Sequence, residues 1–254
     1  MSEPPPPLLG TIPLTAPSPA YDRVRDDPTL GAITLRRTSG IERAATILVS
    51  VVAACAVLRI VVAGLVVEDA QRYLDGLISG DELTERIAPI VLVPLVQRLT
   101  SIAALVTVMV WMHRITSNHR DVRRAGDWRP GWAIGGWFAP PGVFIIPFLM
   151  LREMWRASDP DAVGRSWDRS PVTPLLTVWF VLSLVATVMV FVPGHLSALN
   201  DGSEIELARQ IVDGDRRGVL VADAVVNVAG AAVFVTVVRR LGRRHRQLTG
   251  EDTG

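Results

Sequence analysis

Apolar residues in this chain gather into runs too long for an ordinary soluble helix, and those runs limit the fold more than any other feature. Four of them read as transmembrane helices: residues 41–67, a second within 88–112, then 171–192 and 218–238. Each exceeds about 17 residues, enough to cross a hydrocarbon core of ~30 Å at a rise of ~1.5 Å per residue. A further run at 131–151 lies between the second and third of these. Hydrophobic residues make up 49% of the 254 positions, and mean hydropathy is +0.34. Backbone in lipid must satisfy its own hydrogen bonds, so the expected fold class is all-α, an integral membrane helical bundle.

Arginine sets the expected orientation, because all 26 basic residues are Arg. Arg23, Arg25, Arg36, Arg37 and Arg43 precede the first run, whereas the 68–86 connection holds two Arg against six acids. Arg114, Arg120, Arg123, Arg124 and Arg129 follow the second run, and Arg152, Arg156, Arg165 and Arg169 follow the 131–151 run. The 195–217 connection is acid-rich, and the tail RRLGRRHR is basic. The positive-inside rule then gives four full spans, both termini cytoplasmic in the cell membrane, and a 131–151 element that does not cross. A five-span bundle is the alternative.

Local chemistry favours the broken element. Pro140 and Pro141 lack backbone donors, and Gly135, Gly136 and Gly142 surround them. Broken backbone at membrane depth survives only under cover of protein or a water-filled cavity. A helix in, a turn at Ala139-Pro140-Pro141-Gly142 and a helix out through Arg156 meet that condition. The two flanking hairpins resemble each other, and Asp81 and Ser203 are the expected N-caps of short helices in their acidic loops.

The chain divides into a Pro-rich segment at 1–40, a helical domain at 41–240 and a basic tail at 241–254. Both ends are expected to be disordered, since neither composition buries a core. The opening segment does not look like a cleavable signal, so the first apolar run is expected to act as an uncleaved anchor. Cys55 stands alone within that run, which excludes an intramolecular disulfide and a Cys-based metal site.

Three charges interrupt the apolar runs: Arg59, Arg98 and Asp223. A charge near a helix centre costs ~2.5–3.5 kcal/mol on insertion scales and normally faces a partner or cavity. Asp223 is expected to pair with Arg59 or Arg98, with Asn227 one turn along the same face. A structural ion pair is the plainer reading, and an anion or proton site the functional one.

A second group gathers near the expected cytoplasmic face. Trp111, Arg114 and Asn118 share a face at i, i+3 and i+7, opposite Arg152, Glu153 and Arg156. Arg152 and Arg156 form a basic face suited to an anionic lipid headgroup. Glu153 is instead a candidate to neutralise Arg114 or Arg156, and such an interfacial salt-bridge cluster is the plainer reading. Six of seven Trp fall between 111 and 167, the pattern of an aromatic belt. Trp137 is the residue expected to line a cavity beneath the broken element.

No catalytic set, metal site or cofactor motif emerges. His113 and His119 miss the i, i+4 spacing of a helical metal pair, and no Gly-rich phosphate loop ends in Lys. The charges alternate by loop and form no single basic face, which argues against nucleic acid. The expected role is a non-catalytic scaffold or regulatory partner, with the bilayer and a protein as partners. The alternative is a small transporter, channel or lipid-binding protein.

WMHRITSN at 111–118, RPGWAIGGWFAPPGVFIIPFLMLREMWRAS at 129–158 and Trp167 resemble a bacterial membrane family, domain of unknown function 4328. The resemblance covers about 41–238. It implies a multi-span membrane protein with no established activity, substrate or cofactor. The Arg-only, Ala- and Val-rich composition fits a GC-rich, actinobacterial type of genome.

Overall fold

A computed structural model describes residues 35–139, 145–190, 204–212 and 217–251. Regular structure among them is entirely helical. In chain order it comprises α1 (Ser39–Leu65), α2 (Val67–Leu74), α3 (Gly80–Asp121), α4 (Trp132–Gly135), α5 (Ile145–Ala157), a 3-10 helix (Gly164–Arg169), α6 (Pro174–Val190), α7 (Glu204–Val212) and α8 (Arg217–Thr249).

Three stretches are long and apolar enough to cross a membrane: Ser39–Leu74, Gly80–Asp121 and Gly218–Thr249. They mark the chain as a membrane protein. Their apolar residues cover the whole helix circumference, as expected where one side meets protein and the other lipid. α6 is equally apolar but has 17 residues, about 26 Å of helix at the standard rise.

The long helices alternate in direction. Thr38 touches Glu251, and Arg36 touches Asn118, so the start of α1 and the ends of α3 and α8 share one end of the bundle. Leu176, early in α6, joins the same core. At the opposite end Val66, Ala70, Leu83, Ile87 and Ala208 form a smaller core that binds α2 and α7 to the start of α3. α1 packs against α3 and α8, and α8 also packs against α6.

The larger core follows from helical spacing. Val108, Trp111, Met112 and Ile115 line one stripe of α3, and Phe234, Val237, Val238 and Leu241 line one stripe of α8. Both sets recur at i, i+3, i+4 and i+7, which places them on a single helix face. Met150, Leu151, Met154 and Trp155 of α5 fill the space between.

The 131–151 run is broken, and neither of its described helices reaches spanning length. Asp127 and Trp128 donate backbone N–H groups to Glu153, while Gly136 lies against Ile146. The two arms therefore run antiparallel, with their outer ends at the end that holds both chain segments 35–38 and 245–251. Beyond Ala139, the expected turn through Pro140, Pro141 and Gly142 lies outside the described residues.

Two local expectations are corrected. Ser79, not Asp81, caps the helix of the first acidic loop, accepting from the Glu82 N–H at 3.3 Å. That helix is the start of α3, which continues through Pro89 and Pro94 for 42 residues. Burial of Leu83 and Ile87 against α2 holds the segment helical despite the lost proline donors. Ser203, the other expected cap, lies outside the described residues.

The second correction is the tail. Residues 241–249 continue α8, with Leu241, His245 and Leu248 fully buried, instead of forming a disordered end. Helix ends are tied off where the chain must reverse. α2 closes on Gly76 at φ +72°, with Leu77 N–H bonded to Arg72 O. α3 closes the same way on Arg123, at φ +57°, with Arg124 N–H bonded to His119 O.

Candidate functional site

Two polar groups stand out against this apolar frame. The first lies among the long helices. Arg59 of α1 donates to Asp223 of α8 at 3.2 Å, with their side chains 21% and 10% exposed. Asn227, one turn along α8, donates to Asp223 Oδ1 at 2.9 Å and to its backbone carbonyl at 2.8 Å. Charges so far removed from water persist only when paired and hydrogen-bonded. Arg98 is exposed on α3, and Arg59 is the partner that forms the ion pair.

Beside this pair is an open cavity, a cleft of about 250 Å³ between α1, α3, α6 and α8 that is not closed off from the outside. Val49, Ala104, Leu182 and Phe234 contribute apolar walls, and Ser101, Ser183 and Asn227 the polar atoms. The small residues Gly230 and Ala231 open the α8 side of it. Its aromatic residues are Trp179 and Phe234, whose rings lie 5.0 Å apart. Trp137, the residue expected on such a wall, packs instead against the larger core, and its buried indole N–H has no partner. No local pattern signals this space, because it depends on small residues of α3, α6 and α8 coming level beside α1.

The second group is a polar knot at the end of the bundle. Asn118 pairs both ways with the backbone of Arg36, accepting its N–H at 2.9 Å and donating to its carbonyl at 2.9 Å. The same amide donates to His245 Nε2 at 3.0 Å, which requires the tautomer with hydrogen on Nδ1. His245 meets His119 edge-on at 5.2 Å, and His119 Nε2 lies 3.0 Å from Ser158 Oγ. Arg114 donates to the Arg37 carbonyl at 2.9 Å. Arg124 binds the carbonyls of Ala157, Asp159 and Ala162, closing the loop after α5.

Carboxylates complete the knot. Glu42 pairs with Arg246, and its carboxylate sits where a side chain on Gly242 would otherwise be. Glu251 receives the Thr38 and Ser39 N–H groups and the Thr38 hydroxyl, so the far end of the chain caps α1. Burial by itself pushes the Glu251 carboxyl up, but the bonds from Ser39 and Thr38 outweigh it and hold it below the usual range. Glu153 shows the opposite balance. Burial pushes it above the usual range, against the N–H groups of Asp127 and Trp128.

Glu153 therefore binds backbone and does not neutralise Arg114 or Arg156 by a direct ion pair, contrary to expectation. The chain reverses at Gly126 in close contact with its carboxylate, which makes these N–H groups the nearest donors. Arg152 lies over the Phe148 ring at 5.6 Å, and the buried Nε of Arg156 has no partner. Among the described residues no group of three or more His, Cys, Asp or Glu side chains is placed to hold a metal.

The profile of a family described as a domain of unknown function, DUF4328, matches residues 75–243, more than half of the chain. The chain belongs to this family. The DUF4328 match takes in Asn118, Glu153, Asp223 and Asn227 but begins after α1, later than the resemblance at 41–238 suggested. Arg59 and Glu42 thus lie outside it, as do His245 and Glu251. No curated protein and no solved structure gives a significant match to the chain.

Proposed function

We propose that this DUF4328 protein is a non-catalytic, four-span membrane protein that holds a lipid-like molecule in the cavity between its helices. The observation that carries this reading is the cavity itself: about 250 Å³, apolar on most sides, with Ser101, Ser183 and Asn227 as its polar points. An apolar cavity of ~150 Å³ already takes benzene, so this one has room for a larger guest. α6 is the fourth span, and the α4–α5 hairpin enters and leaves on the cytoplasmic side with both termini. The Arg-rich flanks support that orientation, as does the antiparallel course of its arms.

Native mass spectrometry of the detergent-purified protein tests the reading. The wild type retains a bound small apolar species that Gly230→Leu loses. An identical bound population in both proteins defeats it. Reporters after Asp161 and at the C-terminus test the topology, and both are expected on the cytoplasmic side.

A second reading, a scaffold or regulatory partner, draws on the clamp at Arg36 and Arg37. Asn118 and Arg114 fix the point from which the Pro-rich segment departs. That suits presentation of the segment to a protein partner. Anionic lipid at Arg152 and Arg156 is compatible with either reading.

A further inference from the structure

We infer that the bundle cavity selects an uncharged amphiphile whose polar end is a hydrogen-bond donor, an alcohol in chemical class. The inference rests on the lipid-binding reading above and narrows it through the hydrogen-bonding state of the cavity wall. Ser101 spends its hydroxyl hydrogen on the Gln97 carbonyl at 2.8 Å, and Ser183 spends its own on the Trp179 carbonyl at 2.9 Å. Both oxygens keep acceptor lone pairs. Asn227 directs its NH₂ group to the carboxylate and carbonyl of Asp223. Its Oδ1 is therefore the amide atom left for a guest, because the reverse orientation would set oxygen against oxygen.

The side-chain polar atoms that Ser101, Ser183 and Asn227 offer are thus acceptors. A hydroxyl group donates to them. A carboxylate does not: its oxygens would face acceptors, and its charge would go unmatched in a low-dielectric site. An ammonium group would suit the acceptors but meets no spare negative charge, since Asp223 is already paired with Arg59. Desolvating a cation there has no compensating partner.

The test uses the full-length protein in phosphatidylcholine nanodiscs and three photoactivatable probes of equal chain length. One ends in an alcohol, one in a carboxylic acid and one in a primary amine. After irradiation, digestion and mass spectrometry, the alcohol is expected to label α6 and α8 around Ser183 and Gly230, well above the other two. Gly230→Leu abolishes that labelling. Asn227→Leu lowers it by up to about tenfold, the worth of one net hydrogen bond. Should that variant misfold, Ser183→Ala gives a smaller loss in the same direction.

Equal or stronger labelling by the acid or the amine overturns the alcohol class but leaves cavity binding intact. Labelling that Gly230→Leu does not change, or no labelling of these walls by any probe, overturns the cavity reading as well.

Discussion

The polar knot and the intramembrane cavity share α1, α3 and α8 and solve opposite problems. At the knot, α3, α5 and α8 converge on close-packed side chains linked by many hydrogen bonds, although His245 Nδ1 and Arg244 Nε are buried without a hydrogen-bond partner. Asn118 alone satisfies the backbone of Arg36 and the ring of His245. Around the cavity the helices present Ala104, Ala186, Gly230 and Ala231, which leave space instead of filling it. Close packing and open space are thus separated along the helix axis. The knot fixes the helix ends, so the middle can stay open without the bundle losing its register.

The largest expected effect comes from the knot. Asn118→Leu strands the Arg36 N–H and carbonyl and removes the His245 partner. The bond to His245 is buried and the two to Arg36 are part-buried. Unsatisfied groups cost up to ~1–3 kcal/mol each, so a loss of about 3–4 kcal/mol is the upper expectation. Thermal unfolding of the detergent-solubilised protein measures it, and a small change would erase the contrast between the two regions.

Next comes the ion pair. Asp223→Leu leaves Arg59 without its partner and is expected to cost about 3 kcal/mol, the lower range for breaking a buried pair. The double variant Arg59→Leu with Asp223→Leu should recover most of that loss, because apolar replacement of both partners is often neutral. The same unfolding assay decides between them.

Smaller effects are expected at the two carboxylates, with opposite pH dependence. Glu251 is held low in the folded protein, so its stabilisation is present above the ordinary carboxylate pKa of ~4.3 and lost as pH falls through the folded value. Glu153 is held high, so its contribution is complete below ~4.3 and lost as pH rises through the folded value. Glu251→Gln and Glu153→Gln should therefore tilt the unfolding temperature against pH in opposite senses. Near neutrality Glu251→Gln should cost about 1 kcal/mol, as for loss of a helix cap.

The smallest effect on stability belongs to the cavity. A side chain begun at Gly230 meets only Leu182, at an ordinary 3.8 Å. Gly230→Leu should change stability by less than about 1 kcal/mol, since better helix propensity offsets any crowding. A large loss in the unfolding assay would mean that the open space is already filled in the folded protein.

Much of the frame was legible in the residues. Unbroken apolar length marked α1, α3 and α8, and the Gly and Pro residues of 131–151 marked the break between α4 and α5. A lone Asp on α8 and an Arg on α1 pointed to one another, since an intramembrane charge needs a partner. The order of the tail shows in its apolar pattern and not in its basic charge. Val237, Val238, Leu241 and Leu248 continue one helical stripe through the arginines, and that periodicity was the available sign of an ordered end.

Hydropathy and helical period mark the long segments that are helical and can enter a membrane, as at α1, α3 and α8. These signals act between near neighbours, whereas proline alone does not end a helix, since α3 continues through Pro89 and Pro94. Long-range packing settles that Glu251 caps α1, that Asn118 holds Arg36, and that small residues of α3, α6 and α8 come level beside α1 to leave a cavity. Such contacts join positions far apart in the chain. Their partners are set by how helices of fixed length dock, and no local pattern encodes that.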